Sequence, residues 1–371
     1  MSVASASASD WIWSPARDLA TFGGAAVAAV AIGVGLRPLG GGALPEWAWL
    51  AFVLGLDVAH VWTTLFRTYL DREQLQARPL LYTAVPLACY LAGVAVYHAS
   101  PAMFWRVLAY AAVFHFIRQQ TGWVAIARAR AELRARSDRW LDDAIVYLAT
   151  GVPLVHWHAH LPRSFHWFVD GDFVAGATAI AFAQRLLLPV AVAYAVVALA
   201  YLVRAIQHAR AGRKLWTKHL VVVSTALVWW VGIVLVDDDF TFTVTNVTLH
   251  AVPYIALLWA YAKARAGTAP TRLVARVAGA GFLAFAAFAF ACAYVEEFAW
   301  DRLVWHDREW LFGAGAFISI EWNTFLVPLL ALPQATHYAL DGVLWRRKDG
   351  GAAQARALGF TPGSTSSRTD A

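Results

Sequence analysis

Residues 57–71 read DVAHVWTTLFRTYLD and close an apolar run that begins near residue 47. Asp57, His60, Thr64, Arg67 and Asp71 recur at steps of three, four, three and four, so on a helix they share one face. The remaining positions are mostly apolar. Such a helix is expected to sit in hydrocarbon with its polar stripe turned into protein, because an ionisable group facing lipid is expensive.

Composition extends that reading to the whole chain. Of 371 residues, 60% are apolar and 15% charged, with a mean hydropathy of +0.53. An ordinary soluble domain has roughly 45–50% apolar and about 25% charged residues. The aromatic share of 14%, with 19 Trp, suits the aromatic belts of two membrane interfaces. Apolar runs of about 20 residues lie near 18–36, 47–66, 80–98, 102–125, 143–161, 178–203, 219–236, 244–262, 273–295 and 313–342. The expected fold is all-α: a polytopic integral membrane helical bundle of about ten transmembrane helices.

The connections alternate in charge. Arg67, Arg72 and Arg78 follow the second run, Arg128 to Arg139 the fourth, Arg204 to Lys218 the sixth, Lys263 to Arg276 the eighth, and Arg346 to Lys348 the tenth. Acidic residues fill the other side: Asp170 and Asp172, Asp237 to Asp239, then Glu296, Glu297, Asp301 and Asp307. The positive-inside rule makes the basic loops and both termini cytoplasmic. Residues 1–17 then form a cytoplasmic segment, 18–345 a single transmembrane domain, and 346–371, rich in Gly, Ala, Ser and Thr, a disordered cytoplasmic tail. Met1 to Asp10 does not read as a cleavable signal. A multi-pass protein of the cell inner membrane is the expectation. The net charge of +6 is spread over short loops, so no nucleic-acid partner is expected.

Cys89 and Cys292 both lie in apolar runs, where free Cys behaves as a small hydrophobe. Thiolate zinc, iron–sulfur and disulfide chemistry are thereby set aside. Any metal must be held by imidazole and carboxylate.

The interior histidines supply both. His60 stands one turn after Asp57, and His337 one turn before Asp341 in QATHYALDGVLW (334–345). His115 lies in FHFIRQQTGW (114–123), where Arg118, Gln119 and Gly122 fall near the same face; His250 lies in TNVTLHAVPY (245–254), between Asn246 and Tyr254 at steps of four. Measured at about 1.5 Å per residue from the basic residue ending each run, the four histidines fall in a band roughly 10 Å tall. His60, His115, His250 and His337 are the expected metal ligands, with Asp57 and Asp341 as co-ligands or as acceptors that fix an imidazole tautomer. Arg118 and Gln119 are expected to orient an anionic or carbonyl group, with Asp57 or Asp341 as alternative partners for Arg118. Arg67 reads as an interface anchor. HWHAHLPRSFH (156–166) is the densest histidine stretch; His156, His158 and His160 are secondary candidates, because they sit nearer the outer interface.

Intramembrane histidines with neighbouring acids resemble those of the integral-membrane non-haem iron enzymes: fatty-acid desaturases and hydroxylases, and bacterial carotene-cleaving oxygenases. That resemblance implies an iron site of several His ligands and O₂ activated against a lipid or isoprenoid entering from the bilayer. The chain departs from the desaturase pattern: its sole HxxxH is His156 with His160, and it has no HxxHH. The expected function is a metal-dependent oxidoreductase on a lipophilic substrate, with iron as the metal, zinc also suiting the ligands, and a redox partner. Two alternatives use the same residues. One is a proton-coupled transporter or channel; the other is a lipid-linked group transferase with His250 and Asn246 or Glu321 as its base.

Overall fold

A computed structural model describes residues 10–37, 43–268, 273–315 and 320–344. The expected tail, 346–371, lies outside the described residues, as does most of the N-terminal segment. The described chain is all-helical and contains no strand. Its helices are α1 (Pro15–Gly35), α2 (Glu46–Arg67), α3 (Arg72–Ala77), α4 (Pro79–Ala99), α5 (Pro101–Arg130), α6 (Arg136–Ala159) and α7 (Ala177–Arg210). They continue as α8 (Trp216–Leu235), α9 (Asp239–Thr268), α10 (Leu273–Gly279), α11 (Phe282–Trp305), α12 (Glu309–Phe312), α13 (Ile320–Leu330) and α14 (Leu332–Leu344).

Seven of these, α1, α2, α4, α7, α8, α9 and α11, are long and apolar enough to cross a membrane. The runs expected at 273–295 and 313–342 are each divided. The first breaks at Gly281, whose φ of 107° suits a residue without Cβ. The second breaks at Ala331, between Pro328 and Pro333. A proline has no N–H to give, so the backbone turns where two of them fall close together.

Local chemistry sets the helix starts. Ser100 accepts from the Met103 N–H at 3.2 Å ahead of Pro101, an N-cap followed by a proline, which has no N–H in need of an acceptor. Asp71 does the same for α3, accepting from Glu73 and Gln74. The helix α2 changes pitch along its length: a wide π segment over Trp49–Val58, α over Ala59–Thr63, then a tight 3₁₀ turn over Thr64–Arg67. Such departures from regular pitch re-aim side chains and are frequent at functional sites.

The centre of the bundle is α9, buried along most of its length and flanked by α1, α2, α8 and α10. Small residues let it be approached closely. Gly33 of α1 sits against Thr241 and Thr245, and Thr241 Oγ1 donates to the Gly33 carbonyl at 2.8 Å. Gly232 of α8 packs against Thr245 and Asn246 so tightly that a Cβ there would meet both side chains. Close contact through Gly and Thr is how helices hold together where the solvent is itself apolar. At the periphery, α7 lies along α6 with Leu188, Val192, Val196 and Leu199 exposed. That surface suits lipid.

Charged groups gather at the two ends of the bundle. At one end Asp142 pairs with Lys218 at 2.9 Å and Arg128 at 3.3 Å, and Asp138 binds Arg204 through both oxygens as well as His208. Asp71 pairs with Arg265 there and accepts from the Tyr261 hydroxyl. The other end is tied by Arg163 with Asp237, Arg37 with Asp238, and Arg308 with Glu46.

Candidate metal centre

Four helices each deliver one imidazole to the same point: His60 from α2, His115 from α5, His250 from α9 and His337 from α14. All four rings are buried. Their centroids form a closed square, with 4.6 Å from His60 to His250, 5.0 Å to His115, 4.7 Å on to His337, and 5.0 Å back to His60. The depth band expected from helix ends is thus compressed to the width of one site. Of the basic residues used as depth marks, Arg67 is buried and Arg128 is largely covered where it pairs with Asp142, so neither marks a surface.

Two groups in this square have ligand atoms within 4.8 Å of one another: His60, His250 and His337, and His115, His337 and Asp341. His60 Nε2 and His250 Nε2 are 3.0 Å apart. Two nitrogens each about 2.1 Å from an ion and at right angles to it would be about 3 Å apart. The carboxylate of Asp341 brings Oδ2 to 3.9 Å from His115 Nε2 and 4.0 Å from His337 Nε2.

Several of these atoms lack any protein partner. His60 Nδ1, His115 Nε2, His250 Nδ1 and His337 Nε2 are buried without a hydrogen bond. An unsatisfied buried polar atom costs about 1–3 kcal/mol; His115 Nε2 and His337 Nε2 both face Asp341 and favour a bound species that satisfies them, whereas in His60 and His250 the nitrogens that meet are the two Nε2 atoms. His337 Nδ1 is different, being 2.9 Å from Thr64 Oγ1. With Nδ1 so engaged, His337 has one lone pair, at Nε2, to give. Both ligand groups contain His337, and one lone pair serves one ion. The geometry therefore suits a single ion ringed by imidazoles with one carboxylate, a donor set matched to iron, zinc, copper or manganese.

The walls hold the rings in place. Phe116 stacks on His250 at 3.6 Å and 9°, and the Tyr338 ring lies 4.7 Å from His115. Sequence reasoning did not find either residue. Phe116 follows His115 and Tyr338 follows His337, about 100° round the helix from the histidine face, so the polar spacing does not single them out. Thr64 and Tyr254 were visible as members of polar stripes, but not as contacts of His337 and Asp341.

The other expected site residues divide. Asp57 Oδ1 is 3.8 Å from His60 Nδ1, beyond hydrogen-bond length, and its side chain is 23% exposed. Gln119 has both amide atoms buried and unpartnered, one turn from His115. Arg118 leaves the cluster: it is exposed and donates to the Tyr147 hydroxyl at 3.1 Å. Positions three and four beyond His115 lie about 60° to one side of it and about 40° to the other, and here the more divergent of the two, Arg118, turns outward. Asn246 turns toward α8, its amide nitrogen donating to the Phe242 carbonyl at 3.1 Å. Glu321 is exposed in the first turn of α13. Neither stands in the ligand groups of His250. Arg67, expected at an interface, is buried, with its guanidinium over the Tyr261 ring at 4.8 Å.

His156, His158 and His160 do not join the centre. His158 has both nitrogens engaged, Nδ1 with the Leu154 carbonyl at 2.7 Å and Nε2 with the Tyr110 hydroxyl at 2.8 Å. His160 Nδ1 meets the His156 carbonyl at 2.8 Å, and the two rings stack at 4.0 Å.

No family model, curated protein or solved structure matches this chain.

Proposed function

We propose that this chain is an integral-membrane, metal-dependent oxidoreductase that acts on a lipophilic substrate. The bundle would cross the inner membrane about ten times, with both termini cytoplasmic. One observation carries the reading: four buried imidazoles from four separate helices meet, His60 and His250 through Nε2 at 3.0 Å, and His115 and His337 with unpartnered Nε2 atoms beside Asp341.

His60, His115, His250, His337 and Asp341 would hold the ion. When bound, a redox-active ion such as iron supplies one-electron chemistry toward O₂, which imidazole and carboxylate ligands support. The protein's share is positional. Phe116 fixes the plane of His250 by stacking, and Tyr338 closes the side of His115. Gln119, with a buried donor and a buried acceptor unused, is suited to a carbonyl or hydroxyl on the substrate. The departure of Arg118 leaves that position without a charge, which favours a neutral lipid or isoprenoid over an anion. The exposed apolar surfaces of α4 and α7 are consistent with a substrate delivered from the bilayer. Turnover would also require an electron donor.

A second reading rests on the His60–His250 contact, which at 3.0 Å is an ordinary hydrogen-bond length as well as a ligand edge. It favours a metal-free proton pathway in a transporter. Elemental analysis of detergent-purified protein separates the two. Stoichiometric iron, with oxygen uptake stimulated by a neutral isoprenoid, supports the oxidoreductase. Metal-free protein that carries a proton flux in liposomes overturns it.

A further inference from the structure

Thr64 and Tyr254 join two of the proposed ligands to each other. His337 Nδ1 lies 2.9 Å from Thr64 Oγ1, Thr64 Oγ1 lies 3.0 Å from Tyr254 Oη, and Tyr254 Oη donates to Asp341 Oδ1 at 2.8 Å. Asp341 is one turn beyond His337 on α14, so the chain of bonds closes back on the helix from which it started. It crosses α2 and α9 on the way.

Proton counting gives this chain one direction. A phenol has one O–H, and Tyr254 spends it on Asp341, so its oxygen accepts from Thr64. The Thr64 hydroxyl likewise has one proton, which goes to Tyr254. Its oxygen then accepts from His337, and the proton on that imidazole is fixed at Nδ1. The lone pair is left at Nε2, the atom that is buried without a partner and that lies 4.0 Å from Asp341 Oδ2. The same chain holds Asp341 by Oδ1 and so directs Oδ2 toward His115 and His337.

We propose that Thr64 and Tyr254 are positioning residues of the metal centre: together they select the metal-binding tautomer of His337 and aim the carboxylate of Asp341. The inference rests on the metal-centre reading above. It differs from the expectation that Asp341 would itself fix the His337 tautomer, because the direct acceptor is a hydroxyl from another helix. Partners of this kind change metal affinity by about 10- to 100-fold when removed.

The test is a titration of the chelator-stripped, full-length protein with Co²⁺, following both affinity and the visible ligand-field absorption. Thr64→Val keeps the shape and removes the hydroxyl; Tyr254→Phe removes only the phenol oxygen. Each is expected to weaken Co²⁺ binding about 10- to 100-fold and to alter the absorption band, with the helical circular dichroism of the parent protein retained. Thr64→Ser restores the hydroxyl and is expected to recover both affinity and spectrum. Should Thr64→Val misfold, Thr64→Ala removes the same hydroxyl with less bulk and is read against Thr64→Ser; should Tyr254→Phe misfold, the Thr64 variants carry the test. Parent-like affinity and spectrum in Thr64→Val and Tyr254→Phe would overturn the positioning role while leaving the centre intact. So would a loss in Thr64→Ser as deep as in Thr64→Val, which points to packing. A parent protein that binds no Co²⁺ overturns the centre itself.

Discussion

The chain holds two groups of histidines that differ in the opposite sense to their sequence density. His156, His158 and His160 lie within five residues of one another, yet His158 and His160 use their nitrogens on a carbonyl one turn back or on Tyr110. His60, His115, His250 and His337 come from four distant segments, and each keeps a buried nitrogen without a partner. Closeness in sequence lets a helix satisfy its own side chains. Convergence from separate helices brings the Nε2 atoms of His60 and His250 within 3.0 Å and leaves those of His115 and His337 unpartnered beside Asp341, which is what a ligand needs.

The largest effect expected from this contrast is on metal retention. His250→Ala or His337→Ala should release the ion from purified protein, whereas His158→Ala and His160→Ala should retain it, as read by elemental analysis. Loss in the second pair would erase the distinction. Next, Asp341→Asn should weaken Co²⁺ binding about 10- to 100-fold. Asp57→Asn should change it far less, because Asp57 belongs to neither ligand group and faces His60 Nδ1, whereas His60 meets His250 through Nε2; equal losses would place both carboxylates in the centre.

Smaller effects concern the scaffold. Gly232→Ala forces a methyl against Thr245 and Asn246, one turn before His250, and should destabilise the protein by about 1–3 kcal/mol, seen as a lower Tm in detergent. An unchanged Tm would show that α8 and α9 are less closely fitted than described. His158→Phe removes the Tyr110 bond and should cost about 1 kcal/mol with the metal content unchanged.

The helices were legible because apolar runs of bilayer length leave few alternatives for the backbone. The stripe at 57–71 was also legible: His60, Thr64, Arg67 and Asp71 are all buried. Its individual partners were not, since α2 runs through π, α and 3₁₀ pitch, and regular spacing does not say where each side chain ends. For α5, residues three and four positions from His115 both count as the same face, yet they diverge by enough to send Arg118 outward and leave Gln119 inside. The partners of His337 lie on α2 and α9, far away in sequence. Only the packing of three helices brings them together.

The central claim is that the imidazole square binds one metal ion. The most direct measurement is the metal content per chain of the full-length protein purified in detergent, loaded with an excess of ferrous iron under exclusion of air and freed of loose ion by desalting. About one tightly held ion per chain is expected, because His337 has a single lone pair for the two ligand groups that share it. Retention of no ion, or of two, would contradict the account.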